Sequence, residues 1–381
     1  MEILSVLFGV SLIVIVLWDA FETIILPRRV TRRFRLTRFF YRRTWFLWKK
    51  FAGLLFSGKH LETCLSFFGP ISLLLLLSMW AVFLITGFAL LHWATGSSLS
   101  TATGTPDFFT DLYLSCTTFF TLGLGDVTPG TSLARMYTAI EAGLGIGFLA
   151  LIIGYLPALN QSFAGREVNI SLLDARAGSP PTAAEMLRRH SQDHGLEALR
   201  ILLHEWERWT AQLLESHLSY PVLAFFRSQH DNQSWLGSLT VILDTCALIM
   251  AGLEGACERQ AELTFAMARH TVVDLSQIFL AKPHLPTHDR LPPDKLAELR
   301  VAIAGAGLKL REGSEAEQRL SDLRRMYEPY VYSLSTYLRI SIPPWIFSDH
   351  HIDNWQTSSW ERKSGIHLDI AAKETEEDEH F

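Results

Sequence analysis

The sequence has 381 residues, of which 49% are hydrophobic, and a formal net charge of −5. Residues 1–165 carry 12 Lys/Arg and 8 Asp/Glu, whereas residues 166–381 carry 22 and 31. A weakly basic first part followed by an acidic second part argues against a nucleic-acid partner. The four cysteines form no Cys-x-x-Cys pair and match no zinc spacing. We therefore expect reduced thiols and no metal site.

Three apolar stretches are long enough to span a bilayer, which requires about 20 apolar residues. They run from about Ile3 to Leu26, from about Phe67 to Trp93 and from about Leu133 to Leu159. The first has an acidic residue, Glu2, where a signal peptide has a positive start, and no small-residue cleavage site follows it. We therefore predict a retained membrane helix.

The distribution of charge predicts the orientation of these spans. Residues 28–59 contain eleven Lys/Arg and no acidic residue, whereas residues 60–134 contain no Lys/Arg. Under the positive-inside rule the first segment is cytoplasmic, so the N-terminus lies outside and the C-terminus inside. We expect an integral protein of the cell inner or plasma membrane. Asp19 and Glu22 then lie near the cytoplasmic face, within reach of Arg28 and Arg29.

The basic segment 28–62 has two interpretations. Arginines at intervals of three are typical of a voltage-sensor helix; here these are Arg29, Arg32, Arg35 and Arg38. Other arginines break that stripe, so we favour an amphipathic helix on the inner leaflet, with Arg28–Lys50 facing anionic lipid. The aromatic residues expected at the membrane interface are Phe34, Phe39, Phe40, Trp45, Phe46 and Trp48.

Between the second and third spans, "TPDFFTDLYLSCTTFF" predicts a short helix. Thr105 suits its N-cap, Pro106 its first position and Asp107 the positive end of its dipole. A helix of about a dozen residues is too short to cross a membrane. We therefore predict a re-entrant half-helix followed by an extended return, in which non-helical backbone lines water or protein.

The return contains "TLGLGD", residues 121–126. Successive carbonyls point the same way only when alternate residues adopt left-handed dihedrals, which glycine allows. Thr121, Gly123 and Gly125 therefore predict a ladder of carbonyl oxygens that replaces the hydration shell of a cation. Asp126 adds negative charge at the outer mouth. The alternative is a tight turn between two helices of a transporter or membrane enzyme.

The stretch "TLGLGDVTP" resembles the selectivity filter of the potassium channel family, whose usual form is Thr-Val-Gly-Tyr-Gly-Asp. Pro129, Arg135 and Gly145 also match positions typical of that family. The resemblance covers about residues 67–160, in the order outer helix, pore helix, filter and inner helix. It is that of a two-transmembrane-helix channel with one pore loop per chain.

The resemblance implies a filter that binds K⁺ ions and needs no organic cofactor. Its ion-binding residues would be Thr121, Leu122, Gly123, Leu124 and Gly125. Asp126 would form the outer mouth and Gly145 a gating hinge. Because one filter strand supplies a quarter of the ring, the resemblance implies a homotetramer. Leu124 replaces the usual tyrosine and Leu122 the usual valine, so a weakly selective cation channel remains an alternative.

The inner helix carries two further sets of candidate residues. Gly143 and Gly147 flank Gly145 and are expected to serve helix packing through small residues. An apolar inner vestibule would draw its lining from Leu144, Phe148, Leu151, Ile152 and Tyr155.

The remaining chain predicts a helical cytoplasmic domain over residues 165–345 and an acidic tail over 346–381. Residues 235–253 are apolar enough to span a membrane, but Asp244 at the centre would cost about 2.5–3.5 kcal/mol there. A buried core helix is favoured. His190 and His194 are spaced as metal ligands, yet no third ligand is evident. We find no nucleotide-binding Gly-x-Gly-x-x-Gly unit and no catalytic constellation.

We therefore predict an all-α membrane protein with three transmembrane helices, a re-entrant pore helix and filter, and a helical cytoplasmic domain. Its predicted segments are a first transmembrane helix (1–27), the basic segment (28–62), a pore module (63–164), the cytoplasmic domain (165–345) and the tail (346–381). The predicted function is tetrameric, potassium-selective conduction without enzymatic activity. The alternative from another class is a membrane-anchored protein whose activity resides in the cytoplasmic domain.

Overall fold

The structure is a computed structural model that describes residues 2–26, 35–96, 99–101, 106–191, 195–229, 232–253, 257–286 and 288–347. Arg28, Arg29, Thr105, His194 and nearly all of the predicted tail lie outside these residues. The described part is mostly helical, and several of its helices are long and apolar enough to span a membrane. The chain divides into two compact units. Unit 1 comprises Met1–Ser162 with Leu218–Phe226, and unit 2 comprises Phe163–His217 with Arg227–Phe381.

Unit 1 contains the three apolar stretches as helices. Its helices are α1 (Glu2–Ala20), continued by a π turn (Phe21–Ile25), α2 (Leu36–Leu55), α3 (Gly58–Ser66), α4 (Phe68–Ala94), α5 (Phe108–Phe119) and the first part of α6 (Ser132–Ala177). Two short antiparallel strands, β1 (Leu99–Thr101) and β2 (Val127–Pro129), pair with Ser100 opposite Thr128. Helix α6 is longer than the predicted span because it continues into unit 2.

Close packing of α1 against α4 depends on two glycines. A Cβ added at Gly9 would lie 2.8 Å from the carbonyl oxygen of Gly87, and one added at Gly87 would lie 2.7 Å from Ile13. Small residues at such a crossing let two helix backbones approach each other, which is how apolar helices gain contact without a hydrophobic driving force.

A buried carboxylate joins α1, α2 and α4. Asp19 is 3% exposed and accepts hydrogen bonds from the Thr37 backbone N–H (3.1 Å), the Thr37 hydroxyl (2.5 Å) and Trp80 Nε1 (3.1 Å). Thr37 lies in the first turn of α2, so the negative charge meets the positive end of that helix. Asp19 thus accepts hydrogen bonds from described donors in both α2 and α4. Its neighbour Glu22 pairs with Arg35 at 3.5 Å.

Helix α2 begins at Leu36, and Arg35 before it has extended backbone, so Arg35 and Arg38 do not share one helical stripe. The exposed face of α2 carries basic and apolar side chains side by side. Arg43 lies 5.2 Å from the Phe39 ring centroid, and Lys50 lies 4.6 Å from that of Phe46. This face has the composition of an interfacial helix.

Residues 218–226, which include the last two residues of α8, form an aromatic plug in unit 1, although the chain before and after them belongs to unit 2. Phe225, in a 3₁₀ turn (Pro221–Phe225), is 4% exposed, and its ring centroid lies 5.1 Å from those of both Trp45 and Phe68. Next to it, Phe226 contacts Gly69 so closely that an added Cβ would lie 2.6 Å from the ring. Trp45 is therefore buried at 2% exposure, and its predicted position at the lipid interface was wrong.

Unit 2 is built from helices around one central helix. Its elements are the end of α6, α7 (Ala183–Arg189), α8 (Gly195–Ser219), α9 (Trp235–Gly252), α10 (Glu258–Ile278), α11 (Pro293–Gly305) and α12 (Ser314–Leu338). Helix α9 packs against α10 and α12. Although α9 is long and apolar enough to span a membrane, 89% of it is buried within the described residues. A buried core helix was the favoured prediction.

Asp244, at the centre of α9, is neutralised inside unit 2. It forms an ion pair with Arg290 at 2.6 Å and accepts a hydrogen bond from the Tyr327 hydroxyl at 2.5 Å. Arg290 also pairs with Glu328 at 3.2 Å and donates to the Pro343 carbonyl at 2.8 Å. Burial opposes the charge of Arg290, but the nearby carboxylates outweigh it and raise the pKa of its guanidinium above the ordinary value. The charged centre of α9 is thus internally paired.

We predict that Arg290→Met strongly destabilises unit 2. Removing the cation leaves the buried carboxylates of Asp244 and Glu328 without their partner, which typically costs about 3–5 kcal/mol. The matched control is Arg325→Met, because Arg325 is exposed and pairs with Asp322 at the surface, where a pair contributes roughly 0–1 kcal/mol. The temperature at which the purified full chain loses its monodisperse peak should fall for Arg290→Met only; equal values for both variants would contradict the prediction.

We also predict that Phe225→Ala destabilises unit 1. The substitution removes the ring that fills the space between Tyr41, Trp45 and Phe68, and a buried Phe→Ala change costs about 3–5 kcal/mol. Phe39→Ala is the control, since Phe39 is 58% exposed. Protease cleavage of α2 in the folded protein should accelerate with Phe225→Ala and not with Phe39→Ala.

Candidate ion-conducting site

Helix α5 is fixed at its start by a reciprocal cap. The Asp107 carboxylate accepts from the Thr110 backbone N–H at 2.9 Å, and the Asp107 N–H donates to the Thr110 hydroxyl at 3.3 Å. These bonds from Thr110 lower the pKa of Asp107 and keep negative charge at the positive end of the helix. Asp107 is therefore the N-cap, and Pro106 precedes the helix instead of opening it. The predicted cap, Thr105, lies outside the described residues.

The segment after α5 has the alternating backbone that the glycine pattern predicts. The φ angles of Thr121, Gly123 and Gly125 are +58°, +56° and +81°. The Thr121 and Leu122 N–H groups donate to the carbonyls of Thr118 and Thr117 at 2.9 and 2.7 Å, which closes the end of the helix. Thr121 is β-branched and costs strain in this conformation, a feature that persists where the surroundings impose it.

The side chains of this segment point away from the chain's own core. Leu122 and Leu124 are 60% and 64% exposed within the single chain. A strand with left-handed residues at every second position can direct its carbonyl oxygens to one side, where they act as ligands for a dehydrated cation. The exposure of the leucines leaves room for neighbouring protein around the strand.

Asp126 is tied to α5 by a hydrogen bond that we did not predict. The Tyr113 hydroxyl donates to Asp126 Oδ2 at 2.9 Å. The residues after Asp126 enter β2, which pairs with β1 in the loop that follows α4. Both ends of the return are thereby held: one by α5 and the other by this ladder. No spacing rule in the sequence relates Tyr113 to Asp126, so sequence reasoning missed the pair.

Gly145 allows α6 to pass directly beside the end of α5. A Cβ added at Gly145 would lie 2.0 Å from the carbonyl oxygen of Phe119. Gly143 and Gly147, for which we expected a packing role, would meet no described atom within 4 Å. The close contact thus falls at the predicted hinge, Gly145, and gives a packing reason for glycine there. Its role as a gating hinge stays a prediction.

The predicted vestibule residues differ in their surroundings. Tyr155 is only 7% exposed and lies with its ring centroid 5.4 Å from that of Tyr220, so it packs within its own chain. The ring centroid of Phe148 lies 5.6 Å from that of Phe119. The most exposed apolar residues on this part of α6 were not in the predicted set and are Ile146, Leu149 and Ile153.

Within the part of the chain that the structure describes, no group of three or more His, Cys, Asp or Glu side chains could hold a metal ion. His190 instead lies with Nδ1 2.8 Å from the Met186 carbonyl oxygen. Burial lowers the pKa of His190.

Residues 71–161 match a family profile described as an ion channel. The matched stretch begins in α4 and ends in α6, so it contains α5 and the alternating backbone of residues 121–125. The match supports ion conduction and favours a non-enzymatic membrane protein.

A curated relative is also a membrane protein. The chain is 26% identical over 213 residues to the uncharacterized membrane protein YdjJ of Bacillus subtilis (strain 168). The alignment covers 54% of this chain and 60% of the relative, so the chain spans less than two thirds of that protein's length. No solved structure matches the chain significantly.

We predict that Gly145→Ala displaces α5. The new methyl group would overlap the Phe119 carbonyl, which is backbone and has no flexible end to move aside. Gly143→Ala is the matched control one half-turn away, where an added Cβ meets no described atom within 4 Å. Cysteine accessibility at position 122 in membranes should change for Gly145→Ala and stay as in the parent for Gly143→Ala. Identical labelling rates would refute the packing interpretation.

Proposed function

We propose that this chain is one subunit of a homotetrameric, potassium-selective channel that conducts K⁺ down its electrochemical gradient. The observation that carries the proposal is the alternating left-handed backbone at Thr121, Gly123 and Gly125, directly after a capped half-helix. In the proposed filter, that backbone directs successive carbonyl oxygens to one side of the strand, where they form a row of ligands for a cation.

The proposed filter consists of Thr121, Leu122, Gly123, Leu124 and Gly125. Four such strands would surround K⁺ with carbonyl oxygens in place of water. Helix α5 ends at the filter, so its negative end favours a cation below it. Asp126, oriented by Tyr113, would concentrate cations at the mouth. K⁺ is the conducted ion, and no organic cofactor takes part.

The tetramer is supported by apolar surface that the single chain leaves uncovered. Only 17% of the apolar window of α6 is buried, compared with 56% of the span that contains α4. Exposed apolar residues lie next to glycines that meet no described atom within 4 Å, such as Gly143 and Gly147. Close approach of a second copy at these glycines would cover the face.

In the proposed arrangement α1, α4 and α6 span the membrane with the N-terminus outside and unit 2 in the cytoplasm. The charge asymmetry between residues 28–59 and 60–134 supports this orientation. The exposed face of α2, with Arg43 beside Phe39 and Lys50 beside Phe46, suits anionic lipid of the inner leaflet.

Leu124 supports a second candidate, a weakly selective cation channel. Its side chain has no hydroxyl to brace the filter, and it is 64% exposed in the single chain. The brace from Tyr113 acts at Asp126, two residues beyond. The ratio of Na⁺ to K⁺ permeability therefore distinguishes the potassium-selective channel from the weakly selective one.

The test is potassium flux from liposomes that contain the purified protein, loaded with potassium chloride and diluted into sodium medium. We expect K⁺ efflux from the parent protein and at least about a hundredfold slower efflux from Gly123→Ala, because alanine disfavours the left-handed backbone that points the carbonyl. Gly165→Ala is the control, since an added Cβ there meets no described atom within 4 Å.

Three outcomes are distinguishable. Loss of flux in Gly123→Ala alone supports the proposed filter. Equal K⁺ and Na⁺ permeation in the parent protein replaces potassium selectivity with the second candidate. A K⁺ flux that is unchanged in Gly123→Ala refutes the proposed filter and favours the alternative, a membrane-anchored protein whose activity resides in unit 2.

A further inference from the structure

Behind the candidate filter, three helices meet at one serine hydroxyl. Ser115 of α5 has its Oγ 2.7 Å from the carbonyl oxygen of Ile85 in α4. The same Oγ is in hydrogen-bond contact with Oε1 of Glu141 in α6. Ser115 and Glu141 are both fully buried.

The number of hydrogen atoms on Ser115 and Glu141 determines which group donates in each of the two contacts. A serine hydroxyl has one hydrogen and two lone pairs, whereas a backbone carbonyl and an ionised carboxylate only accept. If the Ser115 hydrogen goes to Ile85, the contact with Glu141 has no hydrogen unless the carboxyl itself carries one. A protonated Glu141 donates to Ser115 Oγ, and both contacts become true hydrogen bonds.

The second carboxyl oxygen of Glu141 also indicates that the carboxyl group is protonated. Oε2 of Glu141 is buried and has no hydrogen-bond partner among the described residues. An ionised carboxylate buried without partners is far more costly than a neutral acid. Because α6 is proposed to span the membrane, the bilayer core around it supplies no water that could donate a hydrogen bond to Oε2 of Glu141.

We propose that Glu141 carries a proton in the resting protein and, by donating to Ser115, positions α5 and the filter that follows it. This inference rests on the proposed channel function. Glu141 acts through Ser115, so it is a positioning residue that does not itself contact the ion.

The neighbouring turn explains how the effect reaches the filter. Ser115 meets Glu141, and four residues on in each helix the Phe119 carbonyl meets Gly145. Helices α5 and α6 are therefore in contact at two successive turns. The first contact is the polar one between Ser115 and Glu141, and the second is the steric one between Phe119 and Gly145. The filter begins two residues after Phe119, so a shift of α5 moves its first carbonyls.

Other titratable groups lie in the same three-helix interface. His92 of α4 and Asp111 of α5 are buried, and the His92 ring centroid lies 5.8 Å from that of Tyr137 in α6. Asp111 and Tyr137 each lie one turn before Ser115 and Glu141, respectively. A spectroscopic test must therefore isolate Glu141 from these neighbours.

The first measurement is the infrared difference spectrum of parent protein minus Glu141→Gln in lipid at neutral pH. A protonated acid has a carbonyl stretch above the amide bands, which the glutamine variant lacks. We expect that band in the difference spectrum; its absence overturns the proposal. The measurement needs no ion flux, so it stays decisive if the channel proposal itself fails.

The second measurement is the reversal potential with K⁺ on one side and Na⁺ on the other. Glu141→Gln keeps a donor and should retain the parent Na⁺/K⁺ permeability ratio within about twofold, whereas Glu141→Leu and Ser115→Ala should raise it about tenfold, as expected for one lost buried hydrogen bond. Ser72→Ala is the control, a buried serine of α4 that donates to the Gly69 carbonyl. An unchanged ratio in folded, conducting Glu141→Leu and Ser115→Ala overturns the positioning role.

Discussion

The close approach of the Phe119 carbonyl to Gly145 is the contact on which the candidate site depends. In the proposed channel, the twelve residues of α5 are too few to cross the bilayer, so its final carbonyls and the strand beyond them need support from protein. Because Gly145 has no side chain, α6 lies directly against that end. The strand can then leave α5 with Thr121 in a strained left-handed conformation, and the tie from Tyr113 to Asp126 fixes its far side. Steric contact thus holds one end and a hydrogen bond the other.

Local rules in the sequence predicted the elements better than the contacts between them. The apolar stretches predicted the long apolar helices of unit 1 because a run of apolar residues of that length favours a helix suited to a bilayer. The glycine spacing at 121–125 predicted the alternating backbone because glycine adopts left-handed dihedrals without a steric penalty. The cap of α5 was misplaced because several polar residues suit a helix start, and only the reciprocal bond with Thr110 selects Asp107. The pairings of Asp19 with Thr37 and of Glu141 with Ser115 join residues far apart in sequence. No periodicity encodes them.

Two buried aspartates, Asp244 in unit 2 and Asp19 in unit 1, accept hydrogen bonds from different kinds of donor. In unit 2, Asp244 sits in an apolar helix and is met by an arginine, a tyrosine hydroxyl and further carboxylate–arginine pairs. Composition alone made that helix suitable for a membrane, and its partners make it the core of a helical unit. In unit 1, Asp19 accepts hydrogen bonds from the N-terminus of α2 and from the indole N–H of Trp80. These neutral donors stabilise the carboxylate without adding a second charge that would also need solvation.

The plug formed by residues 218–226 makes unit 1 discontinuous in the chain. A domain whose last piece arrives some fifty residues after the rest cannot be excised at a single boundary. Cutting after Ser162 would remove Phe225 and Phe226 and leave Trp45, Phe68 and Gly69 facing an empty groove. Transplanting the pore region into another scaffold, or exchanging the C-terminal part for a foreign one, therefore requires carrying this nine-residue insert along. No single cut in the chain therefore separates unit 1 from unit 2.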